Sequence, residues 1–144
     1  MMGVGMACAG VLAWLVALSA FDIRSRRLPN VLTLPGAAVM LLGATLLGRG
    51  GAAALGAVAL FAMYLIVHLI APSGMGAGDV KLAIGVGALT GTFGIDVWAL
   101  SAFAAPLLTA GWAVVNTLRR AASTVPHGPS MCLAAAGGCA LAVL

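Results

Sequence analysis

The fold is decided by the first 21 residues, MMGVGMACAGVLAWLVALSAF (residues 1–21), which carry no charged side chain. A helix needs about 20 consecutive apolar residues to cross the hydrocarbon core of a bilayer. The stretch also lacks the basic n-region and the shorter apolar core of a secretory signal peptide. Residues 1–21 are therefore predicted to form a retained transmembrane helix.

The composition of the whole chain extends this prediction. The 144 residues are 63% apolar and only 7% charged, whereas soluble domains carry roughly 25% charged residues. The three cysteines lie in apolar runs and form no Cys-x-x-Cys pair, so we expect no zinc or other metal site. We predict an all-α integral membrane protein with one domain over residues 1–144 and no soluble zinc-binding insertion.

Polar segments and segments with Gly or Pro divide the chain into six apolar runs. The predicted spans cover residues 1–21, 31–48, 52–71, 80–95, 97–118 and 130–144. Pro72 ends the third span, because proline cannot continue a helix, and Pro106 is expected to kink the fifth. Residues 80–95 are short for a span, so a re-entrant segment is the alternative there. The run GRGGAAALG (48–56) is interpreted as a turn and then tight helix packing, since small residues let membrane helices approach closely.

The basic residues set the predicted orientation. In a six-span topology the loops at residues 22–30, 72–80 and 119–129 share one side. That side carries Arg24, Arg26, Arg27, Lys81, Arg119 and Arg120, whereas Arg49 lies on the other. Because cytoplasmic loops are enriched in Lys and Arg, this side is predicted to face the cytoplasm, with both termini outside. The Ala- and Gly-rich composition favours a bacterium with a GC-rich genome, so the expected location is a bacterial inner membrane. The net charge of +4 is then explained by topology and contact with the lipid bilayer, and no nucleic-acid partner is expected.

Two of the three acidic residues fall at one predicted membrane depth. Asp22 follows the first span and Asp79 precedes the fourth, both on the predicted cytoplasmic side. An acidic side chain at such a depth is costly and indicates function. Each has a structural alternative, and for Asp79 it is the N-cap of the fourth helix. For Asp22 it is an ion pair with Arg24, Arg26 or Lys81.

Two neighbouring carboxylates can supply an acid and a base at one site. When they lie close together they share a proton, because both cannot ionise. The ionised one takes a proton from water, the protonated one donates to the carbonyl oxygen of the scissile peptide, and the pair titrates as a unit. Gly76 and Gly78 precede Asp79, and without a Cβ they would let an extended peptide backbone approach. The alternative is that these glycines only form the turn between two spans.

Three segments resemble motifs of the type IV prepilin peptidases. GAGDVKL (76–82) resembles their Gly-x-Gly-Asp-(Val/Ile)-Lys-Leu motif, and DIR (22–24) followed by LPN (28–30) resembles their first motif. VPHGP (125–129) is similar to their late Pro-Phe-Gly-Pro segment, with His127 where Phe is usual. The matches occur in family order and span almost the whole chain.

The resemblance implies a membrane aspartic protease with Asp22 and Asp79 as the catalytic pair. Members of that family remove the basic leader of prepilins at the cytoplasmic face, and we expect no cofactor. The resemblance also implies prepilins and the assembly proteins of a pilus or secretion system as partners. The chain most resembles the short Tad-type members, which process Flp-like pilins. We assign no methylation of the new N-terminus, which many larger members carry out.

Five further residues are predicted to bind or position the substrate. They are Gly76, Gly78, Lys81, Pro29 and Asn30. Lys81 could tune a nearby aspartate or extend to lipid phosphates, and Asn30 could orient a carboxylate or end a turn. His68 is interpreted as a buried, hydrogen-bonded residue and His127 as a loop residue.

Two other functions fit the same residues. A small transporter or channel component would use the aspartates as proton or cation sites, although the internal repeats common in transporters are not evident here. A related Gly-x-Gly-Asp protease could instead cut another substrate, such as an archaeal-type preflagellin.

Overall fold

The structure is a computed structural model that describes residues 2–121 and 124–144. In these residues the helices are α1 (Met2–Ser25), α2 (Asn30–Leu46), α3 (Gly50–Ile70), α4 (Ala77–Thr92), α5 (Ile95–Leu118) and α6 (Gly128–Val143). The predicted all-helical class is confirmed. α1, α3 and α5 are long and apolar enough to cross a membrane. That all six helices do so, and that both termini lie outside, stays a prediction.

α4 lies at the centre of the bundle. Eleven of its 16 residues are buried, compared with three of the 24 residues of α1. It packs against α2, α3, α5 and α6. The outer helices direct large apolar side chains such as Leu12, Leu55 and Leu107 away from the bundle. An apolar exterior of this kind suits contact with lipid.

α4 also runs the length of the bundle. At one end Arg49, which precedes α3, donates from Nη1 to the carbonyl oxygen of Thr92 at the end of α4 at 2.8 Å. At the other end Lys81, near the start of α4, donates to Asn30, the first residue of α2. The start of α3 therefore meets the end of α4, so the two helices lie antiparallel. The span predicted for residues 80–95 and its re-entrant alternative both stay predictions.

Two helix ends differ from the prediction where the acidic residues lie. α1 continues to Ser25, because its backbone hydrogen bonds do not stop at the first charge, and the amide of Arg26 still donates to the carbonyl oxygen of Asp22. α4 begins at Ala77 with Gly76 as its N-cap. Asp79 therefore lies inside the first turn of α4, and the interpretation of Asp79 as the N-cap is wrong.

Glycines hold α3 and α4 in close contact. A Cβ on Gly56 would overlap the carbonyl oxygen of Gly87 and lie 2.9 Å from the Cα of Gly91. Within the run 48–56, Gly48 adopts a φ of +72° at the turn between α2 and α3, a conformation that glycine adopts readily. The prediction that this run forms a turn and then packs tightly is confirmed at these two glycines.

The replacement Gly56→Ala is expected to destabilise the bundle by about 1–3 kcal/mol, because an added methyl group must push α3 and α4 apart. Gly51→Ala, in the same helix, is the control, since a Cβ at Gly51 meets nothing within 4 Å. Thermal unfolding in detergent would measure both. An unfolding temperature for Gly56→Ala equal to that of Gly51→Ala would contradict the close contact.

Candidate active site

A cavity of about 300 Å³ lies at the end of the bundle where α1 ends and α4 begins. It is lined by Asp22, Arg26, Arg27, Leu28, Gly76, Ala77, Gly78, Asp79 and Lys81. The two acidic residues singled out in the sequence thus face one cavity. Two of the predicted positioning glycines and Lys81 line the same cavity, whereas Pro29 and Asn30 lie beside it at the start of α2.

Asp22 is held in place by a backbone donor from the other end of the chain. It lies in the last turn of α1 and is buried, and its Oδ2 accepts a hydrogen bond from the amide of Gly128 at 2.9 Å. Gly128 is the first residue of α6, and the N-terminus of a helix carries a partial positive charge that stabilises a carboxylate.

Two of the cations that line the cavity with Asp22 have hydrogen-bond partners other than Asp22. Arg26 donates to the side chain and the carbonyl oxygen of Thr124, and Lys81 donates to Asn30. Asp22 therefore depends on the start of α6 rather than on a close ion pair with either of these residues. Neutral backbone donors orient a carboxylate without adding charge to the cavity.

Asp79 is buried with one oxygen unpaired. Only 8% of the residue is exposed, and among the described residues its Oδ1 has no hydrogen-bond partner. A buried polar atom without a partner costs about 1–3 kcal/mol, and a catalytic role or a bound water molecule is among the explanations for such an atom. Oδ1 can therefore bind a proton, a water molecule or a substrate amide that enters the cavity.

The two glycines before Asp79 matter because they have no side chain, not because of their backbone conformation. Neither has a positive φ, so the backbone conformation does not demand glycine at either position. A Cβ on Gly78 would lie 3.2 Å from the Cβ of Leu28, whereas one on Gly76 would lie at an ordinary 3.5 Å from Oδ2 of Asp79. Gly78 lies inside α4, so the alternative that both glycines only form the turn is wrong for it.

Lys81 and Asn30 form a pair with each other. The Nζ of Lys81 donates to the Oδ1 of Asn30 at 2.9 Å, and Pro29 is the N-cap of α2 in an extended conformation. This contact ties the start of α4 to the start of α2, on either side of the cavity. Asn30 therefore orients a lysine rather than a carboxylate.

The sequence did not identify a second polar cluster next to the cavity. The ring nitrogens of His127 lie 2.9 Å from the hydroxyl of Tyr64 and 2.6 Å from the hydroxyl of Thr109. Burial lowers the pKa of His127 to about 4, so its ring is neutral at physiological pH. In the sequence, the segment 125–129, where His127 directly precedes Gly128, could have indicated this cluster.

His68 has a local partner. Its Nδ1 lies 2.7 Å from the carbonyl oxygen of Met75, in the loop that leads to Gly76. The expectation that His68 is hydrogen-bonded is confirmed, although the residue is only partly buried. It fixes the loop between α3 and α4 and does not line the cavity.

Comparison with known proteins gives the family. The model described as the type IV leader peptidase family matches residues 9–114, a stretch that contains both Asp22 and Asp79. The chain belongs to the type IV leader peptidase family. The resemblance inferred from the three sequence motifs is thereby confirmed.

One relative in this leader peptidase family is the prepilin leader peptidase/N-methyltransferase of Xanthomonas campestris pv. campestris. It is 34% identical over an alignment 133 residues long, which covers 84% of this chain and 45% of the relative. The chain thus spans about half the length of the curated relative that it matches. No solved structure matched the chain.

The stretch matched by the leader peptidase family model ends at residue 114, before Gly128. The hydrogen bond from Gly128 to Asp22 therefore joins the matched stretch to a segment outside it. At the cavity, Asp22, whose carboxylate accepts a backbone hydrogen bond, and Asp79, which has an unpaired oxygen, are groups suited to general acid–base chemistry.

Proposed function

We propose that the protein is a membrane aspartic endopeptidase that removes the basic leader of Flp-like type IV prepilins at the cytoplasmic face. The observation that carries the proposal is the position of Asp22 and Asp79, which line one cavity at the end of the bundle. The family, described as leader peptidases, and the relative, named as a prepilin leader peptidase, support the substrate class.

The proposed mechanism uses the two carboxyl groups with one proton between them. The ionised group takes a proton from a water molecule, and the oxygen of that water attacks the carbonyl carbon of the scissile peptide. The protonated group donates to the carbonyl oxygen. The tetrahedral intermediate then breaks its C–N bond as the amine takes the proton that the first group removed from water, and the second group regains a proton from a hydroxyl of the intermediate. Because the groups titrate as a pair, neither role is assigned to one residue.

The surroundings of the pair suit these steps. The amide of Gly128 can hold Asp22 in one orientation, and the unpaired Oδ1 of Asp79 is free to engage water. Gly76 and Gly78 line the cavity and leave room for the backbone of an extended peptide, so the scissile bond can approach both carboxyl groups.

The proposal is tested by co-expression with a Flp-type prepilin from the same genome, with leader removal measured by mass spectrometry. We expect the prepilin to lose its leader only when the protein is present. If Flp-type prepilins remain intact while proton flux appears in reconstituted vesicles, the peptidase proposal is wrong and transport takes its place.

The cytoplasmic position of the site is tested by labelling Ser25→Cys, at the exposed end of α1. An impermeant thiol reagent is expected to modify this cysteine in inverted vesicles and not in intact cells, because the basic loops face the cytoplasm. The wild-type protein, labelled in parallel, gives the background of the native cysteines. Labelling from the outside of intact cells would overturn the proposed topology.

A further inference from the structure

Tyr64, His127 and Thr109 form a hydrogen-bonded cluster that joins three helices just behind the cavity. Tyr64 belongs to α3 and is 3% exposed, Thr109 belongs to α5, and His127 is the N-cap of α6. None of the three lines the cavity itself. The cluster is linked to Asp22 through Gly128, the residue that follows His127.

One arrangement of protons satisfies all three side chains. Thr109 donates its hydroxyl proton to the carbonyl oxygen of Ala105 at 3.1 Å and accepts from Nδ1–H of His127 at 2.6 Å. In a neutral imidazole Nε2 is then unprotonated and accepts from the hydroxyl of Tyr64 at 2.9 Å. The contacts with Thr109 and Tyr64 hold the ring of His127 whichever nitrogen carries the proton.

This arrangement fixes the N-cap of α6, and the next backbone amide is the donor to Asp22 at 2.9 Å. Between α5 and α6 the described chain forms no helix after Leu118 and before Gly128. Without the cluster the orientation of this amide would depend on a segment of irregular backbone. With it, α3 and α5 both determine where the amide points.

Resting on the proposed peptidase function, we propose that Tyr64, Thr109 and His127 are positioning residues that hold the Gly128 amide against the Asp22 carboxylate. The cluster does not touch the substrate. It keeps one member of the carboxyl pair at a fixed angle to the other, and proton transfer is sensitive to such geometry.

The test uses the double variant Tyr64→Phe/Thr109→Val, which removes both hydroxyls that hold His127 and keeps their volumes nearly unchanged. Thr117→Val is the matched control, because Thr117 makes the same side-chain bond to the preceding turn of α5, to the carbonyl oxygen of Ala113 at 2.9 Å. Thr109→Ser retains a hydroxyl and serves as the rescue.

The first measurement is the amide resonance of Gly128. His127–Gly128 is the only His-Gly pair in the sequence, so the full-length protein labelled with ¹³C-carbonyl histidine and ¹⁵N-glycine gives this amide as a single resolved signal. The chemical shift of this signal in Asp22→Asn is the reference for a Gly128 amide that has no carboxylate acceptor. We expect the double variant to move the signal toward that position, and Thr117→Val and Thr109→Ser to leave it in place.

The second measurement is leader removal by the same proteins. We expect kcat of the double variant to fall roughly tenfold, with KM changed less than about twofold, because the pair is misaligned while the substrate site is intact. A folded double variant with an unmoved Gly128 signal and unchanged kcat overturns the proposal.

If wild type cuts no prepilin, the peptidase function fails, and the Gly128 signal alone decides whether the cluster holds the amide. If the double variant does not fold, Thr109→Val alone is compared with Thr109→Ser by the same criteria.

Discussion

Replacing either Asp22 or Asp79 by asparagine is expected to lower the rate of leader removal by about 10²- to 10⁴-fold, the usual contribution of general acid–base catalysis. Asparagine keeps the shape of the side chain but neither takes a proton from water nor donates one as an acid. Since the two residues line one cavity and act as a unit, each single variant should lose about as much as the double variant. The rate of leader release, followed by mass spectrometry, measures the loss.

The chain supplies its own control for these variants. Asp96 is the remaining acidic residue, and it lies exposed in the first turn of α5. Asp96→Asn removes the same charge far from the cavity and should cut at the wild-type rate. Full cleavage by Asp79→Asn would rule out the proposed carboxyl pair, whatever Asp22→Asn does.

Gly128→Ala is expected to lower leader removal by roughly 10- to 100-fold. A Cβ at this position would lie 2.6 Å from Oδ2 of Asp22, which is closer than real Cβ contacts come, and at a tight 3.1 Å from its Cγ. The carboxylate or the start of α6 must move, and displacements of about 1 Å in an active site can cost 10²-fold. The effect should fall on kcat, because the substrate contacts of the cavity are otherwise unchanged.

Gly137→Ala is the control for this variant. Gly137 lies in the same helix, and a Cβ there meets nothing within 4 Å. It should retain wild-type cleavage and gain a little helix stability, since alanine favours helix by up to about 1 kcal/mol over glycine. Equal rates for Gly128→Ala and Gly137→Ala would mean that Asp22 tolerates displacement, and the role given to the Gly128 amide would be wrong.

The sequence predicted the class and the order of the helices because both depend on local composition. Apolar runs separated by polar, Gly or Pro segments mark each helix, and the observed ends, apart from the C-terminal end of α1, differ by no more than three residues. The differences matter at Asp22 and Asp79, which were predicted to lie just outside helices and lie inside them. A hydropathy pattern reports where a side chain suits lipid, whereas a helix ends where its backbone hydrogen bonds end.

The predicted topology placed Asp22 and Asp79 at the same end of the bundle. It did not predict which groups surround them. Gly128 is 106 residues from Asp22, and a backbone amide carries no sign of its partner in the sequence. Tyr64 looked like one more side chain of an apolar helix, and its bond to His127 joins residues 63 positions apart. Such contacts depend on how the helices pack, which periodicity does not encode.

The central position of α4 has a consequence for biogenesis. Asp79 belongs to the one helix that four others enclose, and its many glycines and alanines give it little affinity for lipid on its own. We therefore expect α4 to pack after its neighbours have entered the bilayer, so that a chain still being inserted holds Asp22 without its partner. On the proposed function, the carboxyl pair would then form, and cleavage would begin, only when the whole bundle has assembled.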